Sequence, residues 1–468
     1  MPDAPLPRAA TPVVLPPPPR PGERPPIRNA RLAALLAEPL TQRSLDALEA
    51  QLQVFGVLTL PALENGLYAA VPRAHASNAY TGYGNTWVRD TVQIAQAAWD
   101  SGQVGSAAAT ARALATWFSR QAPRFEACIA GTADVSDPMQ RPHIRFRGAS
   151  LEELPEWWPH AQNDALGYAL WFLARAALSG LLPLDAFTGP VLLRFPRYFA
   201  AIRYWQDRDS GHWEEARKLE CSSVGAVVAG LLALRGLLRS RSELLDLGAR
   251  SSPPVTPALL DELLAAGRAH LARVLPRESQ GEPDPTLDRD TDAALLFLVH
   301  PLRVVDDAMA ARICDDVRAR LLGVHGIRRY AGDSYWMADY ARLFDEQTRT
   351  SGFEDDVGAR DRHLLPGTEA QWCLFDPVLS VIHGWRFLAS RDPRERELQE
   401  WHLLRSLGQI TGDDCALGPG LCPEAYCMPD SREPGRWIAN DDTPLLWTQA
   451  CVVSALGAAR RTLAAASQ

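Results

Sequence analysis

A chain of 468 residues, 47% hydrophobic and 22% charged, has the composition of a globular protein with a large core. Its 48 basic and 56 acidic residues give a formal net charge of −8, which excludes the basic footprint of a nucleic-acid or anionic-membrane binder. No run is read as a membrane span, and eight cysteines in so long a chain suit packed, reduced thiols better than a disulfide framework.

In chain order, residues 1–28 are rich in proline, with Pro16 to Pro19 consecutive. Such a segment is expected to be an extended, disordered tail ahead of a single domain over 29–468. The start, Met1-Pro2-Asp3-Ala4-Pro5, lacks the basic and apolar regions of a secretory signal, so a cytoplasmic protein is expected. From Leu32 the apolar pattern is helical: Leu32, Leu35, Leu36 and Leu40 form one stripe, and after Pro39 a second runs through Leu45, Leu48 and Leu52. Val104, Ala107, Ala108, Ala111, Leu114 and Phe118 repeat at i, i+3, i+4, i+7 spacing. Further helices are predicted over about 161–178, 184–202, 220–239, 257–275, 289–300, 306–321, 370–389, 394–409 and 445–465. Alternating Val/Ile runs are scarce, so the fold class is all-α, as helical hairpins closing on themselves.

Five long connections, roughly 72–88, 125–160, 203–219, 323–369 and 411–444, interrupt this pattern, and loops of such length in a compact domain tend to carry function. At or near their ends stand Trp87, Arg89, Asp90, Trp157, Trp158, Trp205, Trp213, Arg328, Arg329, Tyr335, Trp336, Glu424, Tyr426 and Trp437. Indole faces, guanidinium forks and carboxylates together are what a sugar ring requires, because its C–H faces stack and its hydroxyls bond to charged planar groups. The stretch Arg203 to Gly225 is the centre of this pattern, with Glu214 and Glu215 adjacent behind Trp213. Neighbouring side chains do not face the same way, so the two carboxylates take different roles.

These residues carry a family resemblance. Trp87-Val88-Arg89-Asp90 resembles the substrate-clamping motif of the glucoamylase family, glycoside hydrolase family 15. Trp158 to Asp164 is similar to its second motif, Trp213-Glu214-Glu215 to its general-acid motif, Gly326 to Tyr335 to a third sugar-binding loop, and Pro423-Glu424-Ala425-Tyr426 with Thr443 to Trp447 to its general-base motif. The segment Glu220 to Gly225 and the helix after Trp158 resemble most the phosphorylase kinase regulatory alpha and beta subunits and their bacterial homologues. The resemblance implies an (α/α)6 toroid with its active site at one end. It implies an inverting, exo-acting hydrolase that releases glucose from the non-reducing end of α-linked glucans or oligosaccharides.

Acetal cleavage needs a protonated carboxyl beside the leaving oxygen and an ionised one on the opposite face, about 6.5–9.5 Å apart for inversion. By motif position Glu214 is the expected general acid and Glu424 the general base. Glu215 would hold substrate hydroxyls or pair with an arginine, Arg89 and Asp90 would grip the terminal glucose, and Arg329 would bind it from the other side. Trp87, Trp158, Trp213, Trp372 and Trp447 match substrate-binding aromatic positions, although Trp372 and Trp447 would equally suit a core. His212 is read as an incidental loop histidine, and Cys422 and Cys427, which bracket Glu424, as two packed thiols. No histidine pair or phosphate loop stands near them, so neither a metal nor a cofactor is expected. Partners are an α-glucan or oligosaccharide, without nucleic acid or membrane, and the sequence fixes no oligomeric state. The alternative function is an inactive carbohydrate-binding or regulatory protein like the kinase subunits.

Overall fold

The computed structural model describes residues 24–72, 81–346, 348–349 and 360–466. Its helices are α1 (Ala30–Leu35), α2 (Gln42–Phe55), α3 (Val88–Asp100), α4 (Val104–Arg120), α5 (Ala122–Ile129), α6 (Asn163–Leu178), α7 (Thr188–Ala201) and α8 (Cys221–Ser240). There follow α9 (Ser242–Ala249), α10 (Pro257–Val274), α11 (Leu296–Val299), α12 (Asp307–Leu321), α13 (Tyr340–Leu343), α14 (Phe375–Ser390), α15 (Pro393–Gly408) and α16 (Leu446–Ala466). Local chemistry sets many of their ends. Thr41 and Ser44 form a reciprocal capping box at the start of α2, and Gly56 at φ 79° closes it. Pro257 and Pro393 sit in first turns, where no backbone N–H is needed.

The arrangement is an (α/α)6 toroid. Helices α3, α6, α8, α11, α14 and α16 form an inner ring, each packed on the next, with α16 returning to α3. Outside them lie α4 against α3, α7 against α6, α10 against α8, α12 against α11, α15 against α14 and α2 against α16. Burial separates the layers: 14 of the 16 residues of α6 are buried, against five of the 15 in α12. A helix apolar all round belongs inside, and one with a single stripe belongs outside. Gly167 and Gly230 let α6 and α8 approach closely. A Cβ on Gly167 would fall 2.5 Å from the Ala226 carbonyl carbon. Helix α8 is long and apolar enough to cross a membrane, contrary to the expectation that no run would be, but 78% of its apolar window is buried inside the toroid.

Most predicted helices lie within a few residues of their expected bounds, but α3 and α9 were not among them, and three further features depart from expectation. The expected helix over 289–300 is reduced to a 3-10 turn, Ala293–Leu295, and the single turn of α11. Its first half is used in pairing: Arg289 bridges Ser279, and Asp292 bridges Tyr330. The expected loop from 125 begins inside α5. Two small antiparallel sheets were not anticipated. One joins β1 (Thr86–Trp87), β2 (Arg145–Arg147) and β3 (Glu152–Glu153), and the other β4 (Gln371–Trp372), β5 (Ala425–Cys427) and β6 (Ile438–Ala439). Strands of two or three residues are too short for a period-2 signal. Register places Trp87 opposite Arg145 and Trp372 opposite Ala425, so each sheet fixes a motif tryptophan.

Of the expected tail, residues 1–23 lie outside the described residues. Residues 24–28, by contrast, run along the toroid: the Arg28 N–H donates to Gly408 O at 3.3 Å, and its guanidinium lies 4.1 Å from the Tyr426 ring centroid.

Candidate active site

Residues at the amino-terminal ends of five inner helices meet around one cavity. Trp87, Arg89 and Asp90 open α3, Trp158 precedes α6, Trp213 and Glu214 precede α8, Trp372 precedes α14, and Trp447 stands in the first turn of α16. Arg329 and Glu424 complete the lining with Tyr83, His212, Tyr335 and Arg360. Ten of the eleven candidate residues therefore share one space. Glu215 does not line it.

The loop between α7 and α8 explains how the two neighbouring glutamates part. It is closed by paired bonds between Asp209 and Lys218 and tightened by Glu215 N–H donating to Ser210 O at 3.1 Å. Gly211, at φ 53°, has Glu220 pressed against it so closely that a Cβ would overlap the carboxylate. Glu214 itself takes φ 59°, a left-handed conformation costly for a side-chain-bearing residue, of the kind that clusters at functional sites. The carboxylate of Glu214 thereby turns into the cavity. Its Oε1 accepts from Gln162 Nε2 at 3.1 Å and Arg89 Nη2 at 3.4 Å. Burial raises its pKa above the ordinary carboxylate range, against the opposing pull of Arg89, Gln162 and Arg145.

Glu215 turns away from the cavity into a cage of cations, which corrects its placement among the residues facing substrate. Tyr330 OH (2.5 Å) and Arg329 (3.3 Å) donate to one oxygen and Arg289 (3.2 Å) to the other, with Lys218 Nζ 3.8 Å away. Burial would raise its pKa, but Arg289, Arg329 and Lys218 outweigh it and hold the group at about 2. Of the two roles expected, pairing is the one it has: Glu215 steadies Arg329, whose other partner is Asp333 at 2.5 Å.

Glu424, also on the cavity, stands just ahead of β5, fixed because Cys373 N–H donates to its backbone carbonyl at 2.9 Å. Both carboxylate oxygens take neutral donors: Tyr83 OH at 3.0 Å and Asn440 Nδ2 at 2.6 Å. Burial still prevails and raises its pKa to about 7. Tyr83 also touches Tyr335 OH at 3.0 Å, and Trp336 Nε1 donates to Asp442 at 3.2 Å, so neutral donors back this wall. Asp90 is raised to about 7 by burial as well, against Arg89. Arg89 is anchored by Asp164 at 2.6 Å.

Aromatic faces enclose the remaining sides. Trp87 and Trp158 meet edge to face at 5.9 Å, Trp213 donates to Asp292 at 2.9 Å, and Arg329 lies 5.0–5.1 Å from the ring centroids of Trp372 and Trp213. Trp447 stacks on Phe297. Among the described residues the indole N–H groups of Trp372 and Trp447 and the Nε–H of Arg89 are buried without a hydrogen-bond partner. Buried donors are nearly always satisfied, so unmet donors on a cavity wall suit a polar ligand with many acceptors. His212 is more than an incidental loop residue: it is buried against Phe297 at 5.3 Å, and burial holds its pKa at about 4, so it is neutral. Among the described residues no group of three His, Cys, Asp or Glu side chains is arranged to hold a metal ion. All eight cysteines are free thiols, with Cys422 and Cys427 both buried.

Sequence reasoning missed Tyr83, Asn440, Asp164, Gln162 and Arg145 as site residues. Gln162 and Asp164 stand inside a motif already singled out. Tyr83, in Gly82-Tyr83-Gly84 just ahead of Trp87, was open to suspicion as an aromatic between glycines in a functional loop.

The profile of glycosyl hydrolases family 15 matches residues 51–349. Among curated proteins, a probable phosphorylase b kinase regulatory subunit alpha of Caenorhabditis elegans is 28% identical over 403 residues. That match covers 79% of this chain and 30% of the subunit, so the chain spans less than a third of that relative's length. Among solved structures, a glycosidase in complex with glucose superposes with a TM-score of 0.62 at 20% identity, covering 91% of this chain and 99% of that one. The glucoamylase of Saccharomycopsis fibuligera gives 0.56 at 11% identity, covering 89% and 96%.

Proposed function

The chain belongs to glycosyl hydrolases family 15, and on that premise we propose that it is an inverting, exo-acting hydrolase releasing glucose from the non-reducing ends of α-linked glucans or oligosaccharides. The observation that carries this reading is the pair Glu214 and Glu424 on one cavity, each raised by burial but surrounded differently. Glu214 protonates the leaving oxygen, and Glu424 takes a proton from the attacking water. Tyr83 and Asn440 fix both oxygens of Glu424 and favour its ionised form. Arg89 and Asp90 hold the outer hydroxyls of the terminal ring, which stops the chain there and makes cleavage exo. Arg329, steadied by Glu215 and Asp333, faces the same ring. A cytoplasmic location is part of the proposal. Thiol titration of the denatured protein is expected to find all eight cysteines reduced, and a Cys422–Cys427 bridge would point to export.

A second reading, sugar binding without turnover, is supported by the regulatory subunits among the curated relatives. Incubation with maltose, isomaltose, trehalose, maltotriose and glycogen separates the two. Anomer-resolved NMR is expected to show β-glucose appearing first. Binding by calorimetry with no glucose released from any of the five would overturn the hydrolase reading in favour of the second.

A further inference from the structure

The guanidinium groups in and around the cavity are not alike. Arg89 is held by Asp164 and Glu214, and Arg329 by Asp333 and Glu215. Arg145 has neither kind of support. It is only 9% exposed, and among the described residues its Nε–H is buried without a hydrogen-bond partner. The carboxylates that act on it, Glu214 and Glu156, do so through space. Burial, the larger effect, pulls its pKa below the usual arginine range, whereas Arg89 is held above it. A buried cation without an ion-pair partner is costly, and contact with two indole faces offsets only part of that cost, so an added anion would be favoured there.

Its position indicates which part of a ligand it would meet. Arg145 lies opposite Trp87 in the first sheet, with its guanidinium 4.0 Å from the Trp158 ring centroid and 5.0 Å from that of Trp87, both walls of the cavity. The Glu214 carboxyl is among the groups whose pKa it shifts. A proton donor must stand beside the glycosidic oxygen, so a group close to that donor is near the leaving group. When Glu214 carries the proton it is to donate, it cannot also be the counter-ion of Arg145.

We infer that Arg145 is a specificity-determining residue that binds an anionic substituent, carboxylate or phosphate, on the leaving group. The inference rests on the reading of Glu214 as proton donor. A guanidinium offers paired N–H groups to either anion, and the indole beneath it keeps its plane fixed.

Two matched pairs of probes test this on the full chain: maltobionate against maltitol for a carboxylate, and trehalose 6-phosphate against trehalose for a phosphate. Dissociation constants by calorimetry and initial rates of glucose release are measured for the parent, Arg145→Met and Arg145→Lys. The anionic member of at least one pair is expected to be favoured by about 10–100-fold in the parent, the range for hydrogen bonds to a charged group. Arg145→Met should abolish that preference and Arg145→Lys keep part of it. Equal behaviour within both pairs, or a preference that survives in Arg145→Met, would overturn the assignment. An anionic preference in binding without turnover of any probe would support Arg145 and overturn the hydrolase reading.

Discussion

The two carboxylates that line the cavity, Glu214 and Glu424, are built into different kinds of wall. Around Glu214 the chain gathers formal charges: Arg89 and Arg145 near it, and Arg289, Arg329 and Lys218 around its neighbour Glu215. Around Glu424 the donors are neutral, Tyr83 and Asn440, and the other buried carboxyl, Asp442, takes its bonds from Tyr335 and Trp336. Burial raises both Glu214 and Glu424, so desolvation alone does not tell them apart. The difference lies in what each wall can tolerate. A wall of fixed cations is balanced only while its anions stay, whereas a wall of neutral donors holds its carboxylate charged at a cost in stability.

The largest expected effect is on turnover. Glu214→Gln and Glu424→Gln should each lower kcat on the best substrate by about 10²–10⁴-fold, the contribution of one positioned acid or base. Near-parental activity in either variant, with circular dichroism showing an intact fold, would contradict the roles given to the pair.

Stability should break the symmetry next. Glu215 titrates at about 2 against 4.5 in an unfolded chain, so its contribution is complete above pH 4.5 and lost as pH falls through 2. Glu215→Gln removes the anion from among Arg289, Arg329 and Lys218 and should cost about 3 kcal/mol at pH 7, as for a broken buried ion pair. Glu424 has the opposite sign. Its folded pKa of about 7 lies above the unfolded 4.5, so it lowers stability progressively from pH 4.5 to 7 and fully above that. Glu424→Gln should therefore stabilise the fold by on the order of 2 kcal/mol at pH 8, and the gain should vanish by pH 4. Urea denaturation at pH 4, 7 and 8 reads both, and a shift of the same sign for the two variants at pH 8 would remove the contrast between the walls.

What the sequence revealed of this contrast, and what it hid, has a physical basis. Inner helices such as α6 and α8 are apolar nearly all round, so their positions follow from composition and period, and the motif residues at their amino ends come with them. The backing residues carry no such mark. Tyr83 reaches Glu424 across 341 positions and Arg329 reaches Glu215 across 114, contacts that exist only once the ring has closed. Glu215 shows the limit most clearly. Its identity and neighbours placed it in the site, but its side depends on the left-handed turn at Glu214, a non-glycine residue whose conformation no propensity indicates. Arg145 was passed over for a related reason: an arginine in a three-residue strand gives no signal that its ion-pair partner is absent.

The smallest effect tests the neutral wall directly. Tyr83 OH donates to Glu424 Oε1 and so favours the ionised carboxylate, opposing the burial that raises it. Glu424 acts as a base only when ionised, so activity should fall as pH drops through its pKa, near 7 in the parent. Tyr83→Phe removes the donor and leaves the ring against Trp87, so the fold should persist. The acidic limb of kcat/KM should then move up by about one unit, with turnover near pH 7 lowered about fivefold through ionisation alone. If Tyr83 works through Glu424, the ratio of parent to variant rates must shrink as the pH is raised past the shifted limb. A loss that stays constant across the profile would mean that Tyr83 holds substrate or water instead. The base wall would then owe its charge state to Asn440, the remaining donor to the carboxylate.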